Sequence, residues 1–174
     1  MRAPLLTLIS VTILGLTACA GGPRPVAKTE PASAPFSGPP SAPLPIADHD
    51  WFFSAEDDNA RLAYGLEASD DLRIGLDCGR ASGRLELSAM AAAGSESAIR
   101  VESGGDTELY LARSEPSELN DGLFLTADAT TKDPVFQRFR RLGWLALWRD
   151  GTRETYAPHP ATRPDIERFF TFCG

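Results

Sequence analysis

Lysine, histidine and cysteine are scarce in this 174-residue chain, and each scarcity removes a class of function. The only lysines are Lys28 and Lys132, and the only histidines are His49 and His159. With Arg2, Arg24, Lys28 and Glu30 set aside, residues 48–174 hold 14 Lys+Arg against 23 Asp+Glu, a formal charge of −9. That acidic balance repels phosphate backbones and anionic surfaces, which argues against a general nucleic-acid binder. Three cysteines with no CxxC pair leave redox and zinc roles without a motif. G-x-S-x-G, S-x-x-K and H-E-x-x-H are absent, and Gly79 and Gly83 form no phosphate-cradling spacing. Beyond the first residues no run approaches the ~18 uninterrupted apolar positions of a membrane-spanning helix. No catalytic residue, metal ligand set or cofactor is therefore assigned from sequence.

What is present begins at the first residues. Met1 and Arg2 precede an apolar stretch, Leu5–Leu16, broken only by Thr7, Ser10, Thr12 and Gly15. It falls short of the roughly 20 residues needed to cross a bilayer and has the layout of a secretory signal. Leu16-Thr17-Ala18-Cys19 follows it and resembles the lipobox of bacterial lipoproteins. The resemblance implies cleavage before Cys19, a diacylglycerol on its thiol and acylation of its new amino group. An ordinary signal cleaved after Ala18, with Cys19 left as a free thiol, is the alternative. Several acyl chains anchor durably where one binds only marginally. Inner-membrane retention in that family goes with an aspartate after the cysteine. Ala20 stands there instead, so the resemblance implies the outer membrane of a Gram-negative cell, with the domain facing the periplasm or displayed at the surface.

Residues 19–47 then read as a lipidated tether. Pro23, Pro25, Pro31, Pro35, Pro39, Pro40, Pro43 and Pro45 stand among Ala, Gly and Ser, with Phe36 the one aromatic. Too little apolar surface is available to offset ordering entropy. An extended polyproline-like spacer, at ~3.1 Å per residue, would reach roughly 85 Å at most. A generic flexible spacer accounts for the composition equally well.

Residues 48–174 have the length of one globular domain. Leu72, Ile74, Leu76 and Cys78 alternate with Arg73, Gly75 and Asp77, which predicts a strand with one buried face. Similar runs occur at Leu62–Leu66, Arg84–Ala89, Ile99–Glu102, Thr107–Leu111, Leu123–Ala127, Trp144–Trp148 and Thr152–Ala157. Gly104-Gly105 and Asp150-Gly151 predict two-residue hairpin turns. Asp133-Pro134 predicts a helix start with a capping carboxylate, and Gly143 its left-handed end. Ile166, Phe169, Phe170 and Cys173 form the apolar stripe of a final helix beginning near Pro164. The expected fold is mainly β (α+β): an antiparallel, sandwich-like domain of about eight strands with two short helices near its C-terminus.

Cys19 is consumed by the lipid, which leaves Cys78 and Cys173, each on the inward side of its element. In an oxidising compartment they are expected to pair, closing a long loop. Two buried free thiols are the alternative. A weaker similarity rests on Trp51, Leu62–Tyr64-Gly65, Cys78 and Phe169-Phe170 with Cys173. These landmarks resemble small secreted Gram-negative proteins of unassigned function and transfer no functional residue.

Arg138, Arg140, Arg141, Arg149 and Arg153 concentrate positive charge in an acidic domain. Arginine forks bind carboxylates and phosphates bidentately, so this cluster is a candidate site for an anion or an envelope partner. Cations opposing a helix dipole explain it as well. His49, between Asp48 and Asp50, reads as part of a disordered acidic junction more readily than as a metal ligand. His159, between Pro158 and Pro160, reads as an exposed loop residue. Glu56-Asp57-Asp58 reads as a capping pattern and Asp70-Asp71 as a turn. Trp144 and Trp148 share strand parity and fit sheet packing better than a groove. The leading functional expectation is a non-enzymatic binding or envelope-assembly module, contacting the bilayer through Cys19 and an envelope protein or the cell wall through its domain. A cell-wall or carbohydrate hydrolase and a passive structural role are the alternatives; convergence of His159 with a carboxylate in a cleft would favour the hydrolase.

Overall fold

The computed structural model describes residues 42–174. The expected leader, the expected lipidation at Cys19 and the expected tether as far as residue 41 lie outside the described residues. The domain opens with a hairpin of β1 (His49–Glu56) and β2 (Asn59–Leu66), turning at Asp57 with φ 51°. Aspartate tolerates this left-handed conformation better than most residues. Residues 49–56 are not predicted as a strand, because acidic residues bracket the short alternation of Trp51 and Phe53 with Phe52 and Ser54. In the structure, Glu56 ends β1 and Asp57-Asp58 forms the turn, so the expected capping pattern gives way to a hairpin. His49 likewise belongs to a strand rather than to a disordered junction.

The chain continues through β3 (Leu72–Gly79), β4 (Arg84–Ala91), β5 (Ala98–Ser103) and β6 (Asp106–Leu111). Next come β7 (Arg113–Pro116), β8 (Leu123–Thr130), α1 (Pro134–Leu142), β9 (Leu145–Arg149), β10 (Thr152–Tyr156) and α2 (Arg163–Cys173). The expected mainly β, sandwich-like domain with two short helices near its C-terminus is thus borne out, with ten strands where about eight were expected. One sheet has the order β1-β2-β3-β4-β8-β7 and the other β10-β9-β5-β6, with antiparallel pairs throughout. β7, the other unpredicted strand, is exposed along its length and has no apolar alternation to announce it. It follows β6 after Ala112 alone, so one extended segment forms an edge of each sheet. At β5–β6, Gly104 and Gly105 take φ of 68° and 92°; at β9–β10, Asp150 and Gly151 take 48° and 77°. Both tight turns fall where the sequence predicts them.

The helices lie on the same side of the six-stranded sheet as the second sheet. α2 packs on β1 and β2, and α1 on β5 and β6. Trp51, Leu62, Tyr64, Ile74, Leu76 and Leu87 meet Val101, Leu147, Phe136, Phe139 and Phe169 in one continuous core. Trp51 sits at its centre, 5.3 Å from the Tyr64 ring and 4.8 Å from Phe139. A disulfide joins Cys78 on β3 to Cys173 on α2, with the Cα atoms 5.8 Å apart.

The start of α1 differs from expectation. Asp133 occupies the cap position but makes no cap bond. Its carboxylate accepts from the Thr130 amide and hydroxyl at 3.0 and 2.7 Å. The free Val135 amide donates instead to Glu108 of β6, at 2.8 Å, so a distant strand supplies the cap. Gly143, at φ 88°, closes the helix as predicted, its amide donating to the Phe139 carbonyl.

Candidate functional site

The face of the six-stranded sheet turned away from the core carries a row of small residues. Ala63 pairs with Gly75 and Gly75 with Ser88 across β2, β3 and β4. All three are buried, although no helix or second sheet covers this face: Ala63 is 6% exposed and Ser88 4%. Larger neighbours shield them from the sides. One row toward the β1–β2 turn, Arg61, Asp77, Glu86 and Asp128 stand side by side on four successive strands. On the opposite flank stand Met90, Phe124 and Leu72; the sequence pattern places Leu72 on the buried side, but a register shift between Tyr64 and Gly65 pairs it with Gly65 and turns it outward. The result is a trough. Its charged half has a volume of about 1090 Å³ and its more apolar half about 310 Å³, and Arg61, Ser88 and Phe124 line both.

Charges in the trough are partly matched. Arg61 lies 3.4 Å from the Asp77 carboxylate, while Arg113 reaches both Glu86 and Asp128 at 3.1 Å. Burial pushes the Asp77 carboxyl above the usual carboxylate range; Arg61 opposes that shift and Glu86 reinforces it. Gly75 leaves the space into which the Arg61 and Ser88 side chains reach. A Cβ there would come within 2.6 Å of Ser88 Oγ and 2.9 Å of Arg61 Nη2, so the hydroxyl and the guanidinium converge over one point. Among the described residues, the Ser88 hydroxyl has no hydrogen-bond partner. Arg73 also borders the apolar half, but its guanidinium is paired with Asp71 at 3.0 Å and lies 3.9 Å from Glu154 of β10.

The arginines singled out from sequence are distributed over several contacts. Arg138 is largely buried, donates to the Ser103 carbonyl at 2.7 Å and pairs with Asp106 and Glu108. Arg140 holds Glu167 of α2 in a two-point pair. Arg149 donates to the Met90 carbonyl, Glu154 and the Tyr156 hydroxyl. Arg153 clamps Glu102 bidentately at 2.6 and 2.7 Å. Arg149 and Arg153 point to opposite faces of the β9–β10 hairpin, since Arg153 sits opposite Trp148, the neighbour of Arg149. Arg141 is exposed and has no ion pair among the described residues; its carbonyl accepts from Arg163. Four of the five guanidinium groups therefore tie elements of the fold together.

Glu102 shows how such a clamp works. It is 6% exposed and accepts from Arg153 and from the Trp148 indole at 2.7 Å. The Arg153 bond, aided by Trp148, holds its carboxyl below the usual range despite burial. Arg153 also lies over Trp144, which is buried as expected for sheet packing.

Neither histidine lines the trough. The His159 main-chain amide, rather than its ring, meets Asp50 at 3.1 Å, and the residue is half-buried rather than exposed. Asp50 Oδ1 also accepts from Thr162 at 2.5 Å and from the Trp51 amide, which fastens the start of α2 to β1. His49 lies 3.4 Å from Asp71 and stacks on Tyr64. Among the described residues no three His, Cys, Asp or Glu side chains gather as metal ligands, and no helix is long and apolar enough to cross a membrane.

Arg61, Gly75, Ser88 and Phe124 are absent from the sequence-derived site residues. One signal was available: Gly75 alternates with the buried residues of β3, and a glycine on the outward face of a strand marks a close approach. The chain matches no protein-family model, no curated protein and no solved structure.

Proposed function

We propose that this protein is a non-enzymatic binding module of the Gram-negative envelope, anchored in the outer membrane by acylated Cys19. In this reading residues 19–47 hold the domain off the bilayer, and its partner, an envelope protein or the cell wall, enters the trough on the six-stranded sheet. The observation that carries it is an uncovered sheet face with buried small residues at its centre. A solvated outer face ordinarily carries long polar side chains. Here Ala63, Gly75 and Ser88 leave room for something else.

The trough is tested by placing photoreactive benzoylphenylalanine at position 124 or, as a control, at position 142 on the exposed end of α1. Irradiation of intact envelopes is expected to give a discrete adduct from position 124 only, lost on adding Arg61→Gln. No adduct from either position points to a passive structural role. The anchor is tested separately. Cys19→Ser is expected to abolish incorporation of labelled palmitate and shift the protein from the membrane pellet to the soluble fraction; retained label would refute it.

One observation favours a second reading, hydrolysis of a cell-wall or carbohydrate substrate. Asp77, with its raised carboxyl pKa, stands beside Glu86 in the trough, and glycoside cleavage uses two facing carboxylates. Against it, Arg61 and Arg113 engage those carboxylates. Release of soluble fragments from purified cell wall, lost in Glu86→Gln, would favour hydrolysis.

A further inference from the structure

The more apolar half of the trough combines features that define a ligand. Its walls include Leu72, Met90, Leu119 and Phe124, with Leu119 64% exposed and Phe124 36% exposed. At its inner end lie Arg61 and the Ser88 hydroxyl, which no other described residue engages. The two Arg61–Asp77 contacts, both 3.4 Å, are long for a charge-assisted bond, and a guanidinium carries five N–H donors. Donors therefore remain free, and Nη2 is the arginine nitrogen that reaches over Gly75 toward Ser88. At the outer rim stand Asp70, Glu115 and Glu118. Positive charge and a hydroxyl lie inside, apolar walls in the middle and carboxylates outside.

From this order we infer that the hollow receives the C-terminal end of a peptide with an apolar last residue, its carboxylate held by Arg61 and Ser88. The inference rests on the trough being the binding face. Charge complementarity selects this occupant over others. A dianionic phosphate would bring twice a carboxylate's charge past the acidic rim and against Asp77. A fatty acid would satisfy Arg61 but offer nothing to Asp70, Glu115 and Glu118, which its chain would desolvate. A peptide presents backbone N–H groups to those carboxylates and a single negative charge to Arg61. The volume of about 310 Å³ is at the small end for ligand pockets and suits one terminal side chain with its carboxylate.

The probe is a dansylated tripeptide of two alanines and a C-terminal leucine, titrated with the full-length protein in detergent and followed by fluorescence anisotropy. Its C-terminal amide is the comparison. The free acid is expected to bind saturably, and the amide at least about tenfold more weakly. Arg61→Gln should bring the two peptides to equal, weak affinity. Gly75→Ala, which places a methyl where Arg61 and Ser88 converge, should weaken the free acid by about tenfold or more. Equal binding of acid and amide by the wild type overturns the inference, as does binding indifferent to Arg61→Gln or no saturable binding of either peptide. If the peptides fail while the adduct from position 124 persists, the ligand class falls and the trough stands. If both fail, both fall.

Discussion

Replacing Cys78 and Cys173 together by alanine is expected to lower the unfolding free energy by about 4–5 kcal/mol, a large share of what a domain of this size possesses. The figure follows from the sequence separation of 95 residues between the bridged positions, because the cross-link removes the freedom of that loop from the unfolded ensemble. Position adds to it. Cys78 lies on the inner face of β3 and Cys173 in the last turn of α2, so the bridge spans the core between sheet and helix. Alanine is chosen because serine would leave two buried hydroxyls to satisfy. Urea denaturation followed by circular dichroism, with wild type measured both oxidised and reduced, checks the prediction. Reduced wild type should approach the double variant. A variant that unfolds at the same urea midpoint as oxidised wild type would show that the bridge confers no stability.

Trp51→Ala, in an otherwise unchanged chain, is expected to cost about 3–5 kcal/mol. Trp51 is completely buried and packs against rings from β2 and α1. Its indole N–H donates to the Tyr156 carbonyl at 3.2 Å, which links the first strand to the end of β10 in the other sheet. The truncation opens a cavity and leaves that carbonyl without a partner. Trp51→Phe separates the two effects: it retains most of the volume and should cost about 1–3 kcal/mol, mainly for the unpaired carbonyl. Denaturant midpoints of both variants provide the check. If alanine proved no worse than phenylalanine, packing at the centre of the core would not be what holds the two layers together.

Much of this architecture was legible in the sequence because local rules govern it. Gly104-Gly105 and Asp150-Gly151 have few choices but tight turns, and the spacing of Ile166, Phe169, Phe170 and Cys173 fixes the inner face of α2. The pairing of Cys78 with Cys173 was expected from two inward-facing cysteines together with the oxidising compartment that the lipobox resemblance implies. β1 and β7 were hidden for opposite reasons. β1 is apolar but short and framed by acids, whereas β7 is a polar edge whose partner alone makes it a strand. The cap of α1 by Glu108 was hidden because the contact spans 27 residues.

The candidate site was hidden more deeply. That Gly75 faces outward is legible from alternation. That it meets Arg61 and Ser88 depends on the register of two further strands, and that the face stays uncovered depends on where the helices pack. The arginines drew attention by charge density, yet charge density does not reveal whether each guanidinium already has a carboxylate. Glu102, Glu108, Glu154 and Glu167 lie far along the chain from the arginines they hold or, like Glu154, nearby with no recognisable spacing.

The fastening of β1 to α2 through Asp50 and Thr162 joins residues 112 positions apart. A chain that emerges N-terminus first from a ribosome or a pore exposes the apolar side of β1 and β2 long before the helix that covers it exists. Until Ile166 and Phe169 arrive, the first hairpin has no lid and Cys78 on β3 has no partner. The domain therefore finishes folding late, once its last helix has emerged. A truncation removing α2 would leave the hairpin as a sticky, protease-sensitive intermediate rather than a smaller folded protein.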